Sequence, residues 1–364
     1  MSLLFSVIIP TYNRRHILFE CLDRLSQQTM DPQFFEVLVC DDGSTDDTVA
    51  AVRGRSDTFA FSLTVLTQEN RGPAAARNAG IRRSKGRMIL FLNDDAMAAP
   101  DLLAKHMEGL EQVKGENKAM VGSFRFPDKL AGSPFGYILQ HTDALFGHSM
   151  LEDGSECGYE HFYTCNASLP RSLFDWEMFD PAFKAAAAED MDIGYRFQKR
   201  GVRIFHRAAC RCHHQHRISP LEFCRINAVR GHWAGLFFTK HPDLKKRPCL
   251  TERTLKRWEQ EVLEEAGESE EALRYIEAME RIASDAVLSK QMVSIKAARI
   301  LPHVDLLHRH HYRRGLIRSP FVSGIAVNNP TGMRYDIEAK RRLKLSAAPR
   351  YVGETRNRMA DIES

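Results

Sequence analysis

Four clusters in this chain hold residues whose types and spacing could do chemistry. Asp41-Asp42-Gly43-Ser44 follows an apolar run at residues 36–40, and a carboxylate at such an end can accept hydrogen bonds from a nucleobase N–H or from ribose hydroxyls. The same string also suits a turn and a helix cap. Asn93-Asp94-Asp95 follows the apolar run 88–92, and two adjacent carboxylates are hard oxygen ligands suited to Mg²⁺ or Mn²⁺ held against a diphosphate. Glu189-Asp190 lies in a helix-forming stretch, residues 185–199, which could present Asp190 as a general base with Glu189 or Asp192 on neighbouring faces. Acidic residues in a first helical turn also simply complement the helix dipole. The fourth cluster is Cys210-Arg211-Cys212-His213-His214-Gln215-His216. Strand alternation puts Cys210, Cys212, His214 and His216 on one face. A structural zinc site would need a second, separated pair of ligands, which is missing. The favoured reading is one histidine donating to a metal already held by Asp95.

Positioning these clusters requires strands that end at a common edge. Residues 4–9, 36–40, 62–66 and 87–92 read as short buried strands, and 14–28, 46–52 and 74–85 have helical spacing. That alternation implies βαβ crossovers and a mainly parallel α/β sheet. Pro10-Thr11-Tyr12-Asn13 and the two acidic clusters then fall at the carboxyl ends of strands, the edge where open α/β sheets bind ligands. Further helices are expected at 185–199 and 220–230, and a strand at 202–206. Residues 251–300 hold 8 Lys/Arg and 11 Asp/Glu, with Leu273, Ile276, Met279, Ala283 and Val287 at helical spacing and Ser269 as a candidate helix start. The expected division is a catalytic unit at 1–230, a helical appendage at 231–300 and a basic tail at 301–364.

Composition narrows the function class. The chain has 364 residues and a formal charge of +4, which argues against a dedicated nucleic-acid binder. Residues 301–364 carry 12 Lys/Arg against 6 Asp/Glu, so the tail is basic and the body slightly acidic. No apolar run approaches the roughly 20 residues of a membrane span, and no signal peptide is recognisable. Eight irregularly spaced cysteines make no disulfide framework, so reduced thiols in a cytoplasmic protein are expected. Neither a G-x-x-x-x-G-K-[ST] loop nor an early G-x-G-x-x-G is present, so phosphates must be held another way. Arg77, in the Gly72–Gly80 segment, could supply positive charge there or form a helix-surface ion pair.

In order along the chain, VIIPTYNRR, VLVCDDGSTDDT, NRGPAAARNAGI, ILFLNDDAMAAPDLL, FYTCNASLPRSLF, EDMDIGYRFQKRG and CHHQHRISPLEF resemble the family-2 glycosyltransferases of GT-A fold. The resemblance spans residues 7 to about 223. It implies an inverting, non-processive transfer of a sugar from a nucleoside diphosphate sugar, a UDP-sugar in particular, to an acceptor hydroxyl. Pro10, Thr11 and Tyr12 would form the first nucleotide-binding turn. Asp42, or less readily Asp41, would read the uracil N3–H, and Arg77 would lie in the nucleotide pocket. Asp94 would contact ribose and Asp95 would bind a divalent ion, Mn²⁺ or Mg²⁺. Asp190 would be the base, and His214, or its neighbours His213 and His216, a further metal ligand. Asn93 departs from the usual leading Asp of the metal motif, and the Q-x-x-R-W signature of processive synthases is absent. The competing classes are an inactive glycan-binding scaffold on this fold and a sugar-nucleotide nucleotidyltransferase. Phe135, Tyr137, His141 and Phe146 are expected on the acceptor side. Partners expected beyond the donor are an unidentified acceptor, an anionic membrane face reached by Arg313, Arg314, Arg318 and Lys340–Lys344, and a second copy through the helical appendage.

Overall fold

The computed structural model describes residues 3–146, 151–244, 252–284 and 288–322. Strands β1 (Phe5–Thr11), β2 (Phe35–Asp41), β3 (Ser62–Thr67) and β4 (Met88–Leu92) pair in parallel in the order β3-β2-β1-β4. Helices α1 (Arg15–Leu25), α2 (Thr48–Arg55) and α3 (Pro73–Arg83) supply the crossovers. β1, β2 and β4 are covered on both faces, which is why they read as continuous apolar runs without alternation. Successive residues still point opposite ways. Val7 and Ile9 join Leu18 and Leu22 of α1 in one core, and Ile8 joins Ala76 and Ile81 of α3 in the other.

The sheet then turns mixed. The added strands are β5 (Ala96–Ala98), β6 (Lys118–Arg125), β7 (Glu156–Cys157), β8 (Asn166–Pro170) and β9 (Arg203–His214). β8 runs antiparallel between β4 and β6, β6 pairs in parallel with β9, and both β5 and β7 lie antiparallel on β9. Helices α4 (Leu102–Gln112) and α7 (Glu189–Lys199) pack on this half, with short α5 (Asp128–Ala131) and α6 (Pro134–His141) after β6. The chain continues through α8 (Pro220–Lys240), α9 (Glu252–Glu264), α10 (Ala266–Ser284) and α11 (Lys290–Ile317).

Several boundaries differ from the sequence reading. α7 starts at Glu189, because the Glu189 carboxylate accepts the Ala187 and Ala188 N–H groups (2.8 and 3.2 Å) and so forms the turn before the helix. β9 runs to His214, because Cys210, Cys212 and His214 alternate inward and β5 pairs with its end. α8 continues to Lys240 on a buried run that includes Leu236, Phe237 and Phe238. α10 already begins at Ala266, with Ser269 N–H bonded to Glu265 C=O inside it. The expected divisions at 230 and 300 therefore fall within α8 and α11. Phe135 and Phe223 share a core with Ile276, Ile300, Val304 and Leu307, so the C-terminal helices are built onto α6 and α8. Arg313 packs its guanidinium against Glu261 and the Trp258 ring. Val287 and the basic run Lys340–Lys344 lie outside the described residues. No helix among the described residues is long and apolar enough to cross a membrane.

Candidate functional site

The carboxyl ends of β1 and β4 meet at one point. Thr11 Oγ1 donates to Asp94 Oδ2 at 2.8 Å, tying the first turn to the Asn93-Asp94-Asp95 loop. Asp94 and Asp95 are each only 3% exposed. The Arg14 guanidinium spans them, Nη1 lying 3.1 Å from Asp94 Oδ1 and Nη2 2.9 Å from Asp95 Oδ2. His214 Nε2 faces the same Asp95 oxygen at 3.5 Å. The rings of Phe124, Phe126 and Phe146 stand edge-on to His214, with centroids 5.0, 5.1 and 5.6 Å away, and hold its orientation. Burial pushes the His214 pKa down, favouring the neutral imidazole, and burial pushes Asp94 up.

This donor set fits a hard divalent cation in part. Asp95 Oδ1 is buried and has no hydrogen-bond partner among the described residues. A neutral histidine beside it is a suitable nitrogen ligand. Among the described residues, no three His, Cys, Asp or Glu side chains gather closely enough to cage a metal by themselves. Any ion here would need oxygens from water or from a bound molecule.

At the end of β2 the two carboxylates have different tasks. Asp42 accepts from Gln68 Nε2 (2.7 Å) and from the backbone N–H groups of Arg71 and Gly72 (2.8 Å each). It thereby shapes the loop before α3, where Gly72 adopts φ +88° with Lys184 C=O so close that a Cβ would meet it at 2.7 Å. Asp41 accepts from Gly43 and Ser44 N–H through Oδ2, and its buried Oδ1 has no partner among the described residues. Asn13, in the left-handed region at φ 52°, crosses to this loop and accepts from Thr45 N–H at 2.7 Å. Pro10 is half-buried, and the Tyr12 ring is 44% exposed beside the turn.

Asp190 occupies the first turn of α7. Burial first, and Glu189 second, raise its pKa to about 7. Glu189 points inward and pairs with Arg77 at 2.8 Å, the two being 2% and 3% exposed. The Arg77 guanidinium also lies over the Phe179 ring. Asp192, two residues on in the same first turn, accepts from Arg196 and lies 2.8 Å from His241 Nε2, locking α7 to the end of α8. Asp190 and Asp95 approach a common residue. After burial itself, their two charges are the next causes that raise the pKa of the Cys165 thiol beneath them.

Residues 6–174 match the family model described as Glycosyl transferase family 2. Over that segment the chain is similar to glycosyltransferase family 2. An uncharacterized glycosyltransferase, YfnE, of Bacillus subtilis is 29% identical over 242 residues, covering 54% of this chain and 61% of the relative. Validoxylamine A glucosyltransferase of Streptomyces hygroscopicus subsp. limoneus is 31% identical over 223 residues, covering 55% and 49%. The chain spans only about half to three-fifths of these relatives. The mannosyltransferase PcManGT of Pyrobaculum calidifontis, solved with GDP-Man and Mn²⁺, is 21% identical with a TM-score of 0.56, covering 87% of this chain and 86% of that one. That likeness supports the GT-A architecture.

Other marked residues take plainer places. Cys210 and Cys212 are in the core, with burial raising the Cys210 thiol to about 12. His213 is exposed, and His216 sits 2.8 Å from Glu222. Phe135 is in the core rather than at the cleft, because α6 turns it against Phe223. Tyr137 and His141 stack on each other on α6. Sequence reasoning overlooked Arg14. Its position one residue past the Pro10–Asn13 turn was the available signal, since that turn and the metal motif end on one sheet edge.

Proposed function

We propose that the chain transfers a sugar from a nucleoside diphosphate sugar to an acceptor hydroxyl with inversion, in glycan biosynthesis. The reading is supported by the Asp94–Asp95 pair, tied to Thr11 at the ends of β1 and β4, and by Asp190, whose charge acts with that of Asp95 on Cys165. Thr11, Tyr12 and the Asp41–Asp42 pair would receive the nucleoside, with Pro10 shaping the turn. Asp94 would contact the ribose. The orphan oxygen of Asp41 and the remaining acceptor capacity of Asp42 are both available to a base N–H. A carboxylate suits the uracil N3–H, so UDP-sugars are the favoured donors. GDP-sugars belong in the same screen, because guanine also presents N–H donors.

Asp95, with His214, would hold Mn²⁺ or Mg²⁺, which when bound supplies Lewis-acid charge to the leaving diphosphate. Asp190 takes the acceptor proton as that oxygen attacks the anomeric carbon, and a value near 7 suits a base working at neutral pH. Arg77 reaches the nucleotide pocket only through Glu189, so its proposed contribution is to hold the Glu189-Asp190 turn. A groove of about 430 Å³ lined by Ala186, Ser219, Glu222, Arg225, Ile226 and Val229 opens beside that turn, and the acceptor is assigned to it.

The test is UDP release from a panel of nucleotide sugars with Mn²⁺, using water and then candidate acceptors. Asp190→Asn should abolish transfer while leaving UDP affinity within about twofold. Full transfer by that variant removes Asp190 as the base. No nucleotide release from any donor would favour the scaffold reading.

A further inference from the structure

We propose that Arg14 is a resident countercation of the Asp94–Asp95 pair, displaced when a divalent metal and the donor diphosphate bind together. Metal and nucleotide then each promote the other's binding. The inference rests on the transferase reading above, and its test separates the two.

The bridge from Arg14 uses one oxygen of each carboxylate, at 3.1 and 2.9 Å. The Asp95 oxygen it takes is the one facing His214, so the guanidinium holds the place where those two residues could share a cation. Three features set it apart from a purely structural pair. The Arg14 side chain is 35% exposed while its partners are nearly buried, so it enters from the cleft side. The bridge also leaves Asp95 Oδ1 buried and unpartnered. At Arg77–Glu189, by contrast, the second Glu189 oxygen is filled by two backbone N–H groups. Finally, Asn13 pins the preceding backbone to the Ser44–Thr45 loop, so the guanidinium can leave without the turn moving.

Arginine fits carboxylate and phosphate with the same planar fork. A metal arriving alone must evict Arg14 without offering it another anion. A diphosphate arriving alone meets two buried carboxylates whose one cation is already committed. Arriving together, the metal takes the carboxylates and the diphosphate takes the guanidinium, and every charge is paired. Such coupling is reciprocal by thermodynamic necessity.

The experiment follows Mn²⁺ binding to the full chain at pH 8, by calorimetry and by loss of the free Mn²⁺ electron-spin signal, with and without UDP. Association of Mn²⁺ with UDP in buffer is subtracted. In the wild type, UDP should tighten Mn²⁺ binding by about tenfold or more. In Arg14→Gln, Mn²⁺ alone should bind at least about fivefold tighter than in the wild type, and the UDP effect should shrink to below about threefold. Arg14→Lys, which keeps the charge, should suppress binding of Mn²⁺ alone as the wild type does. Arg14→Gln that folds but binds Mn²⁺ no tighter than wild type overturns the proposal. So does wild-type protein that binds Mn²⁺ equally with and without UDP, a comparison that stands even where the glutamine variant does not fold. If the coupling is found but no nucleotide sugar is consumed, the transferase reading fails and the Arg14 interlock stands.

Discussion

Replacing Arg77 by Met would remove a charge from the least accessible ion pair described here. Met is shorter but keeps an unbranched apolar stem, so most of the loss is electrostatic rather than a cavity. Arg77 Nη1 lies 2.8 Å from Glu189 Oε1, and the guanidinium carbon lies 5.6 Å from the Phe179 ring centre. Deleting one partner of a buried pair costs about 3–5 kcal/mol, because the remaining charge is uncompensated. Here Glu189 keeps the Ala187 and Ala188 N–H groups, which places the loss at the lower end, about 3 kcal/mol. For a chain of this size, with an unfolding entropy of about 2.1 cal/mol/K per residue, that lowers Tm by about 4 °C. The double variant Arg77→Met/Glu189→Gln carries no orphan charge and should recover all but about 1 kcal/mol. Urea denaturation of the full chains followed by far-UV circular dichroism gives both values. UDP titration of the folded proteins gives a second readout. A single variant within about 0.5 kcal/mol of wild type refutes the argument, as does a double variant no more stable than the single. Lost UDP affinity with unchanged stability would instead return Arg77 to the nucleotide pocket.

Activity should rise with pH through about 7, as Asp190 loses the proton that burial helps it retain. Stability should move the other way. Folding raises this carboxyl from 3.8 to about 7, so the native state holds the extra proton between those values and loses stability as pH rises through that window. Burial shifts Asp94 in the same direction, and Asp190→Asn should flatten only part of the slope in urea midpoints measured from pH 4 to 8. Asp95→Ala should weaken Mn²⁺-dependent UDP binding by at least about tenfold, and an unchanged Mn²⁺ titration would remove it from the ligand set. Asp42→Ala, which strands two backbone N–H groups, should cost about 2–3 kcal/mol by thermal or urea melting, whereas an effect below about 0.5 kcal/mol would mean the 68–72 loop does not depend on it.

Local pattern made β1, β2 and β4 legible, because doubly covered strands announce themselves as apolar runs, and the acidic strings after them followed. What stayed hidden depended on partners distant in sequence. Ala185–Ala188 reads as helix by propensity, yet Glu189 caps the turn after it while bonded to Arg77, 112 residues earlier. β9 was read as ending at 206, because its later inward residues are cysteines and a histidine rather than aliphatics. Nothing local says that Asp41 will accept from its own turn while Asp42 accepts from the 68–72 loop. Arg14 reads as a surface charge at a helix start until the register of β1 against β4 sets it opposite Asp94 and Asp95. Phe135 was expected at the cleft because aromatics in loops suggest ligands, but α6 buries it.

The crossing of α8 and α11 fixes more than a core. At Gly231 a Cβ would stand 1.9 Å from Tyr312 C=O, and at Gly315 it would stand 1.9 Å from Ala228 C=O, so the two backbones touch without intervening side chains. The far end of α8 holds α7 through His241 and Asp192, and its near end lines the groove beside Asp190. For anyone recombining this chain with a relative, α8 and α11 must therefore travel together, and α6 with them, because Phe135 of α6 shares their core. A graft that takes α8 and leaves α11 behind would bring a mismatched side chain against a bare backbone. A seam placed between α6 and α8 would instead open the core that these helices share.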